Sequence, residues 1–127
     1  MKIAVTVAQN LVRLSGLILI VLGVLFWSGN ALTLIPLHML IGFVLVLSLW
    51  TMAFLAARSG VSPGLVALGF LWGLLVVVFG LTQDQLLTGD AHWVIRVLHL
   101  LVGLGAIGQS EGLAVRILRR QAMPVRP

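Results

Sequence analysis

Cysteine is absent from the 127 residues, which excludes disulfide bonds, iron–sulfur clusters and thiolate metal sites. Charged residues are also scarce, at 9% of the chain, against about 25% in a typical soluble domain. Only three residues are acidic, while 61% are hydrophobic. A soluble chain of this length could not hide so much apolar surface in its core. The composition therefore indicates an integral membrane protein.

Four long apolar segments follow one another, each close to the roughly 20 residues that a helix needs to cross the hydrocarbon core. Because backbone groups in lipid must pair internally, each segment is predicted to be a helix. Pro36 and Pro63 fit the first turns of the second and third helices, and Asp90 could cap the fourth. We predict one all-α domain over residues 1–127. It is an antiparallel four-helix transmembrane bundle with helices at about 10–29, 34–58, 63–83 and 90–118.

The net charge of +5 follows membrane topology and does not indicate nucleic-acid binding. Basic residues cluster at one end of the predicted bundle, whereas the loops at the other end carry Asp84 and Asp90. By the positive-inside rule, we expect a multi-pass protein of a bacterial-type inner membrane with both termini in the cytoplasm. The basic residues assigned to the cytoplasmic side are Lys2, Arg13, Arg58, Arg116, Arg119, Arg120 and Arg126.

A six-residue motif, Leu-His-x-Leu-(Ile/Val)-Gly, occurs at residues 37–42 and again at 98–103. An ionisable residue inside an apolar helix is costly and indicates a functional site. His38 and His99 are expected at similar depth on parallel helices, in the outer half of the membrane, where both imidazoles could ligate one metal. Gly42 and Gly103 follow by four residues and share the histidine face. They would leave room for a flat porphyrin, or would only allow close helix packing.

Two further residues of the fourth segment belong to the predicted site. Arg96 lies three residues before His99 and could pair with a haem propionate. Alternatively, it is an interfacial arginine paired with Asp90. His92 lies seven residues before His99 and could hydrogen-bond a propionate, or simply a neighbouring group at the membrane interface.

A weaker similarity relates the first and third segments, which align Gly16 with Gly69 and Phe26 with Phe79 at a shift of 53 residues. Together with the duplicated histidine motif, this similarity predicts a pseudo-twofold repeat of two helix pairs. The histidine motif carries most of the weight, because apolar segments match easily by chance.

The two motifs and Arg96 resemble membrane b-type cytochromes built on four-helix bundles, such as the cytochrome b561-like group and the haem-bearing anchor subunits of respiratory complexes. The resemblance implies haem b as cofactor, with iron ligated by His38 and His99. It also implies electron exchange with quinol or an extracytoplasmic redox protein. The b561-like proteins usually carry two haems on four histidines. Here the inner half has no histidine, so we expect a single haem.

Three other functions stay open from the sequence. The histidines could each ligate the magnesium of a bacteriochlorophyll or chlorophyll. The chain could be an accessory or scaffold subunit of a larger complex. It could also be a small homodimeric transporter, although such a protein would place acidic residues at mid-membrane, whereas Asp84, Asp90 and Glu111 lie towards the segment ends. No catalytic constellation or phosphate-binding loop is present, so we expect an electron carrier, alone, as a homo-oligomer or as a subunit.

Overall fold

The computed structural model describes residues 1–123, and over that range the chain is helical with no strand. Four of the helices are long and apolar enough to cross a membrane, which confirms the predicted number of apolar helices. Arg126, assigned to the cytoplasmic side from the sequence, lies outside the described residues. The four helices are α1 (Lys2–Trp27), α2 (Ile35–Arg58), α3 (Pro63–Thr82) and α4 (His92–Ala122), with short 3₁₀ turns at Leu32–Leu34 and Gln83–Gln85.

The first and last helices, α1 and α4, are longer than predicted. α1 begins at Lys2 and not near residue 10, and α4 continues to Ala122 and not to 118. The predicted limits followed the apolar runs, but polar residues such as Gln9 and Arg13 are compatible with a helix and do not end it. Arg13 therefore lies well inside α1, 11 residues after its first residue.

The helix starts agree only in part with the predictions. Pro36 and Pro63 lie in the first turns of α2 and α3 as expected, where a missing N–H costs nothing. The prediction that Asp90 caps α4 is wrong. The residue that precedes α4 is Ala91, and no side chain caps this end.

Two residues after the last residue of α1 and of α2 lies a glycine in the left-handed region, with φ of +77° at Gly29 and +73° at Gly60. After α2, the N–H of Val61 donates to the carbonyl oxygen of Ala56 (3.0 Å), and the N–H of Gly60 donates to that of Ala57 (3.1 Å). This is a Schellman motif, which satisfies the last carbonyls and turns the chain sharply. The short connections that result keep consecutive helices adjacent.

The helices do not contact one another equally. α2 and α4 contact each other and both remaining helices, whereas α1 and α3 do not contact one another within the described residues. Packing is therefore centred on the contact between α2 and α4. The side chains buried most completely include Leu45, Leu49 and Met52 of α2 and Ile117 of α4.

Large apolar side chains cover much of the outer surface. Leu40 and Leu71, for example, are 62% and 64% exposed. α3 is the most extreme case, since its only buried residues are Gly69 and Gly73. A helix that is apolar on all sides but scarcely buried is typical of a membrane span.

Candidate cofactor site between α2 and α4

The structure brings the two motif histidines together. His38 lies in the first turn of α2 and His99 in the third turn of α4. Their imidazole centroids are 6.3 Å apart, with the ring planes inclined at 42°. Both side chains are half-buried. The facing pair expected from the sequence is thus present as a geometry, while its role as a ligand pair stays a prediction.

One nitrogen of each ring lacks a partner. Nδ1 of His38 and Nδ1 of His99 are buried, and neither forms a hydrogen bond with any described residue. Most buried polar atoms in proteins are hydrogen-bonded, so two unsatisfied nitrogens on adjacent rings require an explanation. Imidazole nitrogen is also the commonest protein ligand for metals. The pair therefore has unused donor or ligand capacity at one place in the bundle.

Two phenylalanines pack against the histidines in the same way. The Phe26 ring at the end of α1 lies against His38, with centroids 5.4 Å apart. The Phe79 ring near the end of α3 lies against His99, with centroids 5.9 Å apart. In each case the phenylalanine comes from the helix preceding the histidine. The sequence similarity at a shift of 53 residues paired these phenylalanines, but it did not assign them to the site.

Glycines lower the helix surface around the pair. A Cβ added at Gly42 or at Gly103 would meet no atom within 4 Å. The space beside these two predicted site residues is therefore open. A third glycine, Gly80 of α3, was not predicted. A Cβ there would lie 3.5 Å from Cε1 of His99, so the α3 backbone approaches that imidazole closely.

The histidine end of α2 and α4 is loosely packed. The first buried residue along α2 is Leu45, seven residues after His38. In α4, only Ile95 is buried before Ala106. Most of the core is built elsewhere, from later residues of α2 and α4 together with early residues of α1, such as Val5 and Val12. The protein's own side chains therefore fill the region around the histidines less completely than the rest of the bundle.

Arg96 and His92 lie on the same helix as His99 but behave differently. Arg96 is exposed, and the ion pair with Asp90 considered from the sequence is not formed. The only ion pair in the described part of the chain joins other residues. Nδ1 of His92 lies 3.1 Å from the carbonyl oxygen of Leu86. His92 therefore fixes the loop before α4, and its ring is not paired with His38 or His99.

The ligand set limits the kind of metal site. No group of three or more histidine, cysteine, aspartate or glutamate side chains lies together within residues 1–123. A bare structural or catalytic metal ion usually needs three or four protein ligands. Two imidazoles alone suit a metal that already carries equatorial ligands of its own, as in a tetrapyrrole.

A polar cluster joins α1 to α4 and was missed by the sequence analysis. The guanidinium of Arg13 forms two hydrogen bonds with the Glu111 carboxylate, Nε to Oε1 at 2.6 Å and Nη2 to Oε2 at 2.8 Å. The amide of Gln9 donates to Oε2 of the same residue at 2.6 Å. The isolated glutamate in an apolar helix was the available signal, because such a charge needs a partner.

The chain matches no protein-family model, and neither the curated proteins nor the solved structures include a significant match.

Proposed function

We propose that this chain is embedded in a bilayer and holds a single b-type haem that transfers electrons. The observation that carries the proposal is the pair of half-buried imidazoles, His38 and His99, with centroids 6.3 Å apart. Four apolar helices with an apolar outer surface support the embedding. Trp27 and Trp93 add to this support. They lie exposed at the end of α1 and the start of α4, as expected for an interfacial aromatic belt.

We further propose that neighbouring helices run antiparallel and that both termini face the cytoplasm of a bacterial-type inner membrane. Contacts between distant parts of the chain support this arrangement. Gln9, early in α1, meets Glu111, late in α4. At the opposite ends of the same helices, Phe26 meets His38 of α2, which in turn faces His99. The basic residues then lie together at the cytoplasmic end.

The separation of the imidazoles supports their sharing one metal. Two metal–nitrogen bonds of about 2 Å each account for about 4 Å. About 2.3 Å of the 6.3 Å between centroids then remains. This is close to the sum, over the two imidazoles, of the distance from ring centroid to ring nitrogen. The unpartnered Nδ1 atoms and the absence of a third ligand among the described residues are consistent with a metal whose other four ligands come from a porphyrin.

The surroundings of the pair support the same cofactor. Gly42 and Gly103 leave open space on the histidine faces of α2 and α4. The sparse burial of α2 before Leu45 would let a flat ring replace side-chain packing at this end. Phe26 and Phe79 would press against the imidazoles, fix their orientation and keep water away. The exposed Arg96 guanidinium would pair with a propionate.

Bound haem supplies an iron atom that accepts and releases one electron at a time. His38 and His99 would both ligate the iron, and a haem held by two protein ligands favours electron transfer over binding of small gases. His92 stands apart from the pair and would shape the outer surface by holding the loop at Leu86. The partner at that surface would be a quinol in the membrane or an extracytoplasmic redox protein.

The optical spectrum tests this proposal directly. Protein purified from haem-replete cells should show a sharp reduced-minus-oxidised difference spectrum of the b type, with one haem per pair of motif histidines. A colourless preparation would refute the proposal. Extraction of the pigment into organic solvent separates haem from bacteriochlorophyll, since the latter carries magnesium and gives a different spectrum. The accessory-subunit and transporter alternatives both predict a protein without pigment.

A further inference from the structure

A groove lies on the outside of the bundle, between α3 and the part of α4 that follows His99. Its apolar part has a volume of about 310 Å³, and a polar part of about 280 Å³ adjoins it at Leu65 and Arg116. The side chain of Arg116 sits at the junction, where it donates to the carbonyl oxygen of Gly112 (2.8 Å). The apolar part is lined mainly by Leu65, Leu68 and Leu113 and by Gly105, Gly108 and Gly112, with one uncharged polar residue, Gln109.

The polar part carries concentrated positive charge. Arg116, Arg119 and Arg120 line it together, and all three are exposed. No acidic residue neutralises them. Among the described residues, the one ion pair is formed by Glu111 with Arg13, and the two aspartates lie before α4 begins. The end of this groove therefore complements an anion.

The length of the apolar part matches one leaflet of a membrane. It extends along α4 from Gly105 to Arg116, or 11 residues, which at about 1.5 Å per residue is roughly 16 Å. Half of a hydrocarbon core of about 30 Å is about 15 Å. A Cβ added at Gly108 would meet no atom within 4 Å, so this side of α4 is low there and an extended hydrocarbon chain could pass it. The Trp72 indole covers Gly105, and the Arg116 guanidinium covers Gly112.

We propose that this groove binds an anionic glycerophospholipid, with its phosphate at Arg116, Arg119 and Arg120 and an acyl chain that passes Gly108 of α4. Guanidinium groups bind phosphate oxygens through paired hydrogen bonds, and basic pockets between transmembrane helices are suited to acidic headgroups. The proposal rests on the bilayer embedding proposed above and is independent of the haem.

Titration of the full-length protein in neutral detergent micelles tests the proposed lipid site. The probes are dioleoyl phosphatidylglycerol, dioleoyl phosphatidylcholine and inorganic phosphate, and native mass spectrometry counts the bound molecules. We expect one phosphatidylglycerol per chain, at least tenfold weaker binding of phosphatidylcholine, and no comparable binding of phosphate. Equal binding of the two lipids would overturn the proposal. Phosphate that binds as well as the acidic lipid would also overturn it, since a free anion would then explain the arginines.

Two pairs of variants examine the two halves of the site. Arg119→Gln combined with Arg120→Gln should weaken binding of the acidic lipid roughly 10- to 30-fold. The control, Lys2→Gln with Arg58→Gln, also removes two positive charges but lies outside the groove, so it should leave binding of the acidic lipid unchanged. Gly108→Leu should fill the apolar part and displace the lipid, whereas Gly23→Leu, also in open space on α1, should not. A control that weakens binding as much as its partner would refute the assigned site.

The absorbance of the same samples separates the two proposals. Pigmented protein without preference for the acidic lipid would refute the lipid site alone. Colourless protein that retains the preference would refute the cytochrome proposal alone.

Discussion

The indole N–H of Trp72 donates a 2.9 Å hydrogen bond to the carbonyl oxygen of Val102, three residues after His99. The same indole lies over Gly105, where an added Cβ would come within 2.9 Å of Cε2 and closer still to Cζ2. α3 is thereby held against α4 one turn beyond the histidine. Both the hydrogen bond and the missing side chain at residue 105 are needed for this close approach.

Gly105→Ala should therefore destabilise the bundle, because the held indole cannot move away without losing its bond to Val102. Overpacking of this kind costs about 1–3 kcal/mol. Gly108→Ala is the matched control, since its Cβ would meet no atom within 4 Å. Both variants gain the same helix propensity of about 1 kcal/mol. The difference between their free energies of unfolding in detergent should thus be about 1–3 kcal/mol, and equal stabilities would contradict the packing described.

Replacement of either motif histidine should remove the haem. His38→Ala and His99→Ala should each abolish the b-type spectrum, because one imidazole cannot hold the iron from both faces. His92→Ala should retain it, since that ring is engaged with Leu86. His99→Met offers a sharper test, because a thioether in place of one imidazole should keep haem but raise its potential. A spectrum unchanged in His38→Ala would exclude His38 as a ligand.

Gly42→Leu and Gly103→Leu should each lower the amount of haem bound per protein several-fold without unfolding the chain. The protein itself leaves open space at both positions, so a leucine competes only with a bound ring. Gly23→Leu provides the control, because it also adds a side chain in open space but lies on α1. Haem content is measured against helical circular dichroism. Full haem loading in both site variants would show that no ring lies against these glycines.

The Arg13–Glu111 pair should stabilise the contact between α1 and α4. Arg13→Gln and Glu111→Gln should each lower the midpoint of thermal unfolding by a few degrees, because each leaves a charge with an incomplete set of partners. The double variant that combines Arg13→Gln with Glu111→Gln should lose less stability than the sum of the two single losses, as a double-mutant cycle requires of residues in direct contact. Additive losses in that double variant would argue against the bidentate bond at 2.6 and 2.8 Å.

The sequence predicted the helices well where hydropathy decides them. The predicted limits of α2 and α3 agree with the structure to within one residue, because Pro36 and Pro63 mark the starts of these helices and Gly60 follows the end of α2. The hydropathy pattern placed the start of α1 about eight residues too late. A helix can continue beyond the apolar run, and residues such as Gln9 and Arg13 do not mark its end.

The duplicated motif predicted one contact between helices, that of His38 with His99, and otherwise the site was predictable only along single helices. Spacing placed Gly42 and Gly103 on the histidine faces, because residues four apart share a face. Contacts between helices depend on packing that no spacing encodes, so Gly80 beside His99 and Glu111 beside Arg13 were missed. Phe26 and Phe79 are intermediate between the residues that were predicted and those that were missed. Their alignment was visible in the sequence, but their contact with the histidines required the structure.

All three histidines of the chain lie early in α2 or α4, at positions 38, 92 and 99. In the proposed membrane orientation they share the outer leaflet. If the proposed haem is present, an electron that reaches the pair from one partner would leave on the same side, and its passage would move no charge through the hydrocarbon core. Such a carrier would add nothing to the membrane potential. Any energy conserved from the reaction would be captured in the partner proteins, and this chain would set only how quickly they exchange electrons.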